Sequence, residues 1–459
     1  MLGIEVQGLT ALRGPLAFLA GVPGIALNEE VELHGVDGSS RAGRVLAVSE
    51  GEAVLELFGA SAGLALDGCS VRFRGRPVQI GVGKEMLGRV FDGSGRPRDG
   101  LPQPAFDERR AIHGAPINPV RRAVPNEFLE TGISAIDALN TLVLGQKLPI
   151  FSEAGLPHDV LLRQIIRQAH APGVESFAVV FAGLGLPRSV ADEYIEDFRS
   201  TGALQRTVAF LNLADDPAAE RLMTPRCALT AAEYLAWDLG LHVLVVLHDV
   251  TAYGEALREV AAARGEAPSR KGYPGYLYTD LASLFERAGR IQGRPGSLTQ
   301  LPVVTLPSGD LTHPIPDLTG YVTEGQIVLE RELHRRGVYP PISVLPSLSR
   351  LMDDGIGKGR TREDHAPLAR QLYATMAHAS RSRALESIIG FDELPDLERS
   401  YLGFGRAFEE RLVGQRPDEA RSIGRTLDIA WELLGMLPHS ELRRIPADLL
   451  ARAGAKAAR

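Results

Sequence analysis

Four residues, Gly155, Leu156, Pro157 and Arg350, carry the chemistry that this sequence offers or withholds. The first three lie in Gly145–His170, GQKLPIFSEAGLPHDVLLRQIIRQAH. Leu148, Ile150 and Phe151 form a short apolar run. After a turn, Val160, Leu161, Ile165 and Ala169 recur at helical spacing, with Arg163, Gln164 and Arg167 expected on the opposite face. Strand, tight turn and helix is the layout of a phosphate-binding loop, whose pattern is G-x-x-x-x-G-K-[ST]. With its second Gly placed on Gly155, the Lys position falls on Leu156, the Ser/Thr position on Pro157 and the first Gly on Ile150. The cation for a phosphate and the hydroxyl for magnesium are both missing, and Pro157 removes a backbone N–H. The turn is therefore not expected to bind phosphate. Taken alone, the stretch reads as an ordinary strand-to-helix turn.

Arg350 stands in PPISVLPSLSRLMDD (Pro340–Asp354), with Ser343, Ser347 and Ser349 on what reads as a Pro-punctuated turn. An isolated loop arginine is ordinarily just solvated. Flanking apolar and Pro residues fix the backbone here, which suits a side chain held out toward a partner. Asp249 closes the apolar run HVLVVLHD, where phosphate-loop proteins keep an acid beside magnesium. The other reading is a cap on the next helix, TAYGEALREV. With the Lys and Thr positions of the loop gone, Asp249 reads as structural. Gly183–Arg188, GLGLPR, follows another strand and offers no general base. Lys358, Arg360 and Arg362 lie among Gly355, Gly357 and Gly359, and read as a solvated loop rather than an anion site.

These residues need elements to hold them. The 459-residue chain is long enough for two to four domains. Its apolar share of 44% and charged share of 23% are those of a globular protein. A net charge of -7 argues against nucleic acid as the main partner. Cys69 and Cys227 are too few for a disulfide framework or a zinc site. The start, MLGIEVQGLTALRG, has no basic segment followed by an apolar core, so no signal peptide is expected, and runs such as Val243–Leu247 are too short to span a bilayer.

Residues 1–75 read as a small all-β barrel: Glu30–Leu33, Arg44–Val48, Ala53–Leu57 and Ser70–Phe73 alternate apolar and polar, separated by Asp37-Gly38, Glu50-Gly51 and Asp67-Gly68 turns. Whether the barrel is a stabilising cap or an assembly surface is open on these residues. Residues 76–345 alternate strands (Phe177–Phe181, Val208–Leu211, Leu241–Leu247) with helices (Ala191–Arg199, Leu229–Asp238), which predicts a parallel sheet flanked by helices. Residues 346–459 read as a helical domain, with helices over Leu368–Ile389, Leu397–Leu412 and Glu419–Met436 and a frayed tail at Gly454–Arg459.

Taken in order, several stretches resemble the non-catalytic B subunit of V-type and A-type rotary ATPases. They are GRVFDGSGRPRDG (Gly88–Gly100), ETGISAIDALNTLVLGQKLPIFS (Glu130–Ser152), ERLMTPRCALTAAEYLAW (Glu220–Trp237) and HVLVVLHDVTAYGEALREV (His242–Val260). GYPGYLYTDLASLFERAGR (Gly272–Arg290), DLTHPIPDLTGYVTEGQI (Asp310–Ile327) and PPISVLPSLSRLMDDGIGKGRTREDH (Pro340–His365) complete the set. Two departures stand out: Glu153-Ala154 replaces the Gly-Ser pair usual in B subunits, and Ser343 stands where Asp or Asn is common.

The resemblance implies an N-terminal β-barrel, a central RecA-like α/β domain with a degenerate phosphate loop, and a C-terminal helical bundle. It also implies a ring of three A and three B subunits on the cytoplasmic face of a membrane. Central-stalk subunits, and a peripheral stalk reached through the N-terminal region, are the further partners it implies, with proton or sodium movement in a membrane sector. ATP or ADP with Mg would lie at the interface with the A subunit, and no cofactor is expected on this chain alone. By the resemblance, Leu186 stands where the catalytic subunits carry a Glu that polarises water, and Arg350 is an arginine finger reaching the γ-phosphate held by A. Two other readings compete: a self-sufficient ATPase of the same superfamily, of secretion or flagellar type, against which Leu156, Pro157 and Leu186 count together, and a freestanding binding module.

Overall fold

The computed structural model describes residues 4–451 apart from 21, 50, 60, 62 and 175, so the expected tail at Gly454–Arg459 and Glu50 of one predicted turn lie outside the described residues. Two compact units emerge, one of Met1–Arg122, Ala178–Val304 and Leu311–Val322, the other of Ala123–Phe177, Thr305–Asp310 and Thr323–Arg459.

The first unit opens with a half-barrel of seven antiparallel strands. They are β1 (Glu5–Gln7), β2 (Ala11–Arg13), β3 (Leu16–Ala20), β4 (Glu29–His34), β5 (Ser40–Ser49), β6 (Glu52–Leu57) and β7 (Ser70–Pro77). Their order is β1-β7-β4-β5-β6-β3-β2. Strict alternation along β4 buries Val31 and Leu33, which join Val45, Leu55, Val71 and Phe73 in one core. Arg44 and Glu56 face each other across β5 and β6 and form a 2.6 Å ion pair sealed from solvent.

The remainder of this unit holds part of the predicted α/β region, whose other segments fall in the second unit. Ser297–Leu306 runs parallel to His242–His248, and Phe177–Leu186, Thr207–Leu213 and Val90–Asp92 run parallel to one another. All seven residues of His242–His248 are buried, as a parallel strand covered on both faces requires. His242 is accommodated because its Nδ1 lies 2.8 Å from the Ser297 hydroxyl. The helix expected over Leu229–Asp238 begins at Ala218 and ends at Trp237, with Pro225 inside it. That proline hid the first half of the helix from a periodicity reading. Its buried face carries polar anchors: Glu233 grips the fully buried Arg287 through two bonds of 2.6 and 2.7 Å, and Arg226 reaches Asp280 at 2.6 Å.

In the second unit, Ile150–Glu153 pairs parallel with Gly325–Leu329, which pairs antiparallel with Ile342–Ser349. The expected Pro-punctuated turn is thus mostly strand, with Arg350 directly after its end. Pro346 is tolerated because it sits exposed beside a register shift, where Ser347 Oγ accepts from Val328 N at 3.0 Å. The three predicted C-terminal helices form as His365–Ile389, Asp396–Phe408, which continues as one π turn, and Ile423–Leu434, close to the predicted spans. Gln164, expected on a polar face, is buried instead. Its amide donates to the Arg416 and Glu419 carbonyls and its oxygen accepts from Tyr339 Oη, so a polar side chain here ties three segments together. In the short helix Ser134–Leu139, Asp137 accepts from Thr131 N, Thr131 Oγ1 and Gly132 N, while burial pushes its carboxyl up to about 8.

Glu220, in the first turn of Ala218–Trp237, gives this fold a pH dependence. Burial, then the charges of Asp92 and Asp216, push its carboxyl up to about 7, while Gly93 N donates to it at 3.0 Å. The folded state then holds a proton that the unfolded chain releases near pH 4.5, so this contribution to stability falls as pH rises through that window up to about 7. Glu220→Gln keeps the acceptor and removes the charge. It is expected to stabilise the protein at pH 8 by about 2–3 kcal/mol and leave it nearly unchanged at pH 4.5, read from urea unfolding midpoints.

Candidate functional site

The strand Ile150–Glu153 hands over to the helix His158–Gln168 through Ala154, Gly155, Leu156 and Pro157 alone. Ile150, where a phosphate loop needs its first glycine, is a fully buried strand residue paired with Ile327. The first half of the pattern is therefore sheet, not loop. Leu156 N donates to the Glu153 carbonyl at 3.2 Å, and Gly155 takes φ +82 at the third position of that reverse turn. His158 N turns inward as well, onto the Leu156 carbonyl at 2.9 Å, and Pro157 has no N–H. Where phosphate loops aim successive amides at the anion, these positions satisfy their own turn. Leu156 is buried, so its side chain presents no group to solvent.

One cation does reach this turn, and sequence reasoning did not single it out. Arg331 follows the strand Gly325–Leu329, and its Nε lies 2.9 Å from Glu153 Oε2 while a terminal nitrogen lies 2.8 Å from the Ala154 carbonyl. Its signal in the sequence was a basic residue just past the end of an apolar strand, QIVL, with Glu153 at the end of another apolar run to pair with it. The turn is closed by its own ion pair.

Arg350 is built differently. Its backbone N–H donates to the Glu324 carbonyl at 2.9 Å. Glu324 in turn accepts from Lys147 N at 2.7 Å and pairs with Lys147 Nζ at 3.0 Å. Just before the arginine, Ser349 Oγ donates to the Thr141 carbonyl at 2.8 Å and receives Gln146 Nε2 at 2.9 Å. Gly325 makes the strand crossing possible, since a Cβ there would stand 2.0 Å from the Leu348 carbonyl oxygen. The main chain is pinned from several sides. The side chain is exposed, and its guanidinium makes no hydrogen bond or ion pair among the described residues.

In the other unit, Leu186 ends the strand Phe177–Leu186 and is buried, with Pro187 as the cap of the next helix. It offers no proton acceptor. Asp249 caps the helix Val250–Ala263: its Oδ1 accepts from Thr251 N at 2.9 Å, which is the structural role read from the sequence. The glycine-rich loop is less uniform than expected. Lys358 and Arg360 are exposed, but Arg362 bonds Asp364 at 2.7 Å and Asp428 at 2.6 Å, because the next helix and Ile423–Leu434 bring those carboxylates to it. The loop ends on His365, buried with Nε2 3.1 Å from the Ala138 carbonyl, and burial pushes its imidazole down to about 4.

Residues 132–349 match the nucleotide-binding domain of the ATP synthase alpha/beta family, and residues 354–453 match the C-terminal domain of V and A type ATP synthase. Among solved structures, the chain is similar to the ATP synthase subunit NeqB from Nanoarcheaum equitans. The two are 37% identical, with a TM-score of 0.74, over 92% of this chain and 100% of that one. The two matched domains in this order, with 37% identity to a solved ATP synthase subunit over 92% of the chain, show that the chain belongs to the family of V/A-type ATP synthase subunits.

Proposed function

We propose that this chain is the non-catalytic B subunit of a V/A-type ATP synthase, and that Arg350 completes the catalytic site of an adjacent A subunit. The observation that carries the reading is the contrast between two places in one unit. The strand-to-helix turn spends Leu156 N and His158 N on its own carbonyls and has no lysine or hydroxyl, whereas a guanidinium without a partner among the described residues stands on a pinned main chain. In phosphoryl transfer, negative charge spreads over the equatorial oxygens, and a planar cation held in place stabilises that charge. Arg suits the task because it stays ionised and can donate two parallel bonds. A catalytic subunit needs the reverse: an open loop with its cation and a residue to orient water. Leu156, Pro157 and Leu186 are at odds with that need.

In this reading three copies alternate with three A subunits on the cytoplasmic face of the membrane, around the central stalk. The N-terminal half-barrel faces the peripheral stalk. Nucleotide and Mg lie with the A subunit, and ion movement takes place in a separate membrane sector. No helix among the described residues is long and apolar enough to cross a membrane.

Arg350→Ala, introduced into this chain and assembled with unmodified A subunits, is expected to leave ring formation intact by size-exclusion chromatography, since an exposed side chain contributes little packing. Steady-state ATPase should fall by about 10³–10⁵-fold. Arg350→Lys should restore only part, because a point charge lacks the planar fork. Activity within a few-fold of the parent complex would reduce Arg350 to a solvated arginine.

The double change Leu156→Lys, Pro157→Thr is expected to give no ATP hydrolysis by the isolated chain. It restores two side chains, but the first half of the loop is still the strand Ile150–Glu153 and water is still unpositioned at Leu186. Phosphate release above that of the unmodified chain, in a coupled assay, would contradict this account.

A further inference from the structure

We propose that Glu153 is a tethered anion: its carboxylate occupies the guanidinium of Arg331, and its removal uncovers a site for inorganic oxyanions of the phosphate class at the strand-to-helix turn. The inference rests on the non-catalytic reading and deepens it, because it names a residue that keeps free anions away from the turn.

The geometry is that of an arginine holding a ligand. Nε donates to Glu153 Oε2 at 2.9 Å, and a terminal nitrogen donates to the Ala154 carbonyl at 2.8 Å, so the guanidinium plane is clamped onto the turn from two directions. Carboxylate and phosphate oxygens ask the same of a guanidinium, which is a planar set of donors at charge-assisted distance. Opposite Arg331 the carboxyl lies against Gly309. A Cβ at that position, where φ is +71, would stand 3.3 Å from Glu153 Oε1 and Cδ. The bare glycine leaves room beside the carboxylate.

Charge and access decide how the site behaves. Arg331 and Glu153 side chains are 38% and 34% exposed, so the pair is open to solutes and a free anion could reach Arg331 if the carboxylate were absent. A carboxylate tethered a few bonds from the chain is always at hand, whereas a solute must be drawn from dilute solution. Asp159 lies in the first turn of the helix His158–Gln168 and adds a second negative charge on the helix side. With both carboxylates in place the turn offers an incoming phosphate no unpaired cation. Nucleotide in an assembled ring is thereby left to the partner's loop, and this chain does not sequester it unhydrolysed.

The test is equilibrium binding of pyrophosphate, and separately of inorganic phosphate, to the full-length chain by titration calorimetry at low salt. Glu153→Ala should bind pyrophosphate at least about tenfold more tightly than the parent. Glu153→Gln, which keeps the side-chain shape and removes the charge, should show the same direction and carries the test if the alanine variant melts early. Arg331→Ala added to Glu153→Ala should abolish the gain, and added salt should weaken it. Unchanged affinity in both Glu153 variants, or a gain that survives loss of Arg331, overturns the proposal. Those results would leave the non-catalytic reading standing. That reading falls instead if the parent chain alone hydrolyses MgATP.

Discussion

A strand and a helix separated by four residues leave little backbone with which to surround a phosphate. Here Ile150 to Glu153 belong to the sheet, and Leu156 N, bonded to the Glu153 carbonyl, closes the reverse turn before Pro157 starts the helix. The other local features follow from this shortness. The amides of Leu156 and His158, which a wider loop would aim outward, are bonded inside the turn. Leu156 packs inward where a lysine would extend. Arg331, which arrives from the end of a neighbouring strand, finds a carboxylate and a carbonyl as its partners. On the proposed non-catalytic reading, backbone path counts against nucleotide chemistry as much as the missing side chains do.

The same unit holds Arg350 on a fixed main chain, which the proposed role in a partner's site requires. Lys147, Gln146 and Glu324 share hydrogen bonds beside the end of the strand Ile342–Ser349, and Ser349 is held by Thr141 and Gln146. An arginine on a free loop would lose conformational freedom each time it engaged a phosphate. One whose main chain is already fixed loses mainly side-chain freedom, so more of its interaction is available to the transition state. Exposure of the guanidinium and anchoring of the backbone are both needed, and Arg350 has both.

Much of the architecture was legible because periodicity and turn chemistry speak plainly in it. The alternation in Glu29–His34, the unbroken apolar run of His242–His248 and the long C-terminal helices follow directly from residue spacing. Where the reading went astray, a long-range polar contact had overruled a local pattern. Gln164 looked like a surface residue until the carbonyls of Arg416 and Glu419 came to meet it. Arg362 looked solvated until Asp428, far along the chain, supplied its partner. Pro346 suggested a turn, yet an outermost strand accepts a proline where no donor is needed. At the site, the absence of Lys and Thr was visible at Leu156 and Pro157. The ion pair of Glu153 with Arg331 was not, since it joins residues brought together only by parallel pairing of Ile150–Glu153 with Gly325–Leu329.

The central claim is a division of labour: this chain lends a cation and holds no nucleotide of its own. A density map of the assembled complex with a non-hydrolysable ATP analogue and Mg tests it most directly. The account predicts nucleotide in the phosphate loop of the partner subunit, with the Arg350 guanidinium within hydrogen-bonding reach of its terminal phosphate. Nucleotide seated on the Glu153–Pro157 turn of this chain, with Arg350 pointing into solvent, would contradict it.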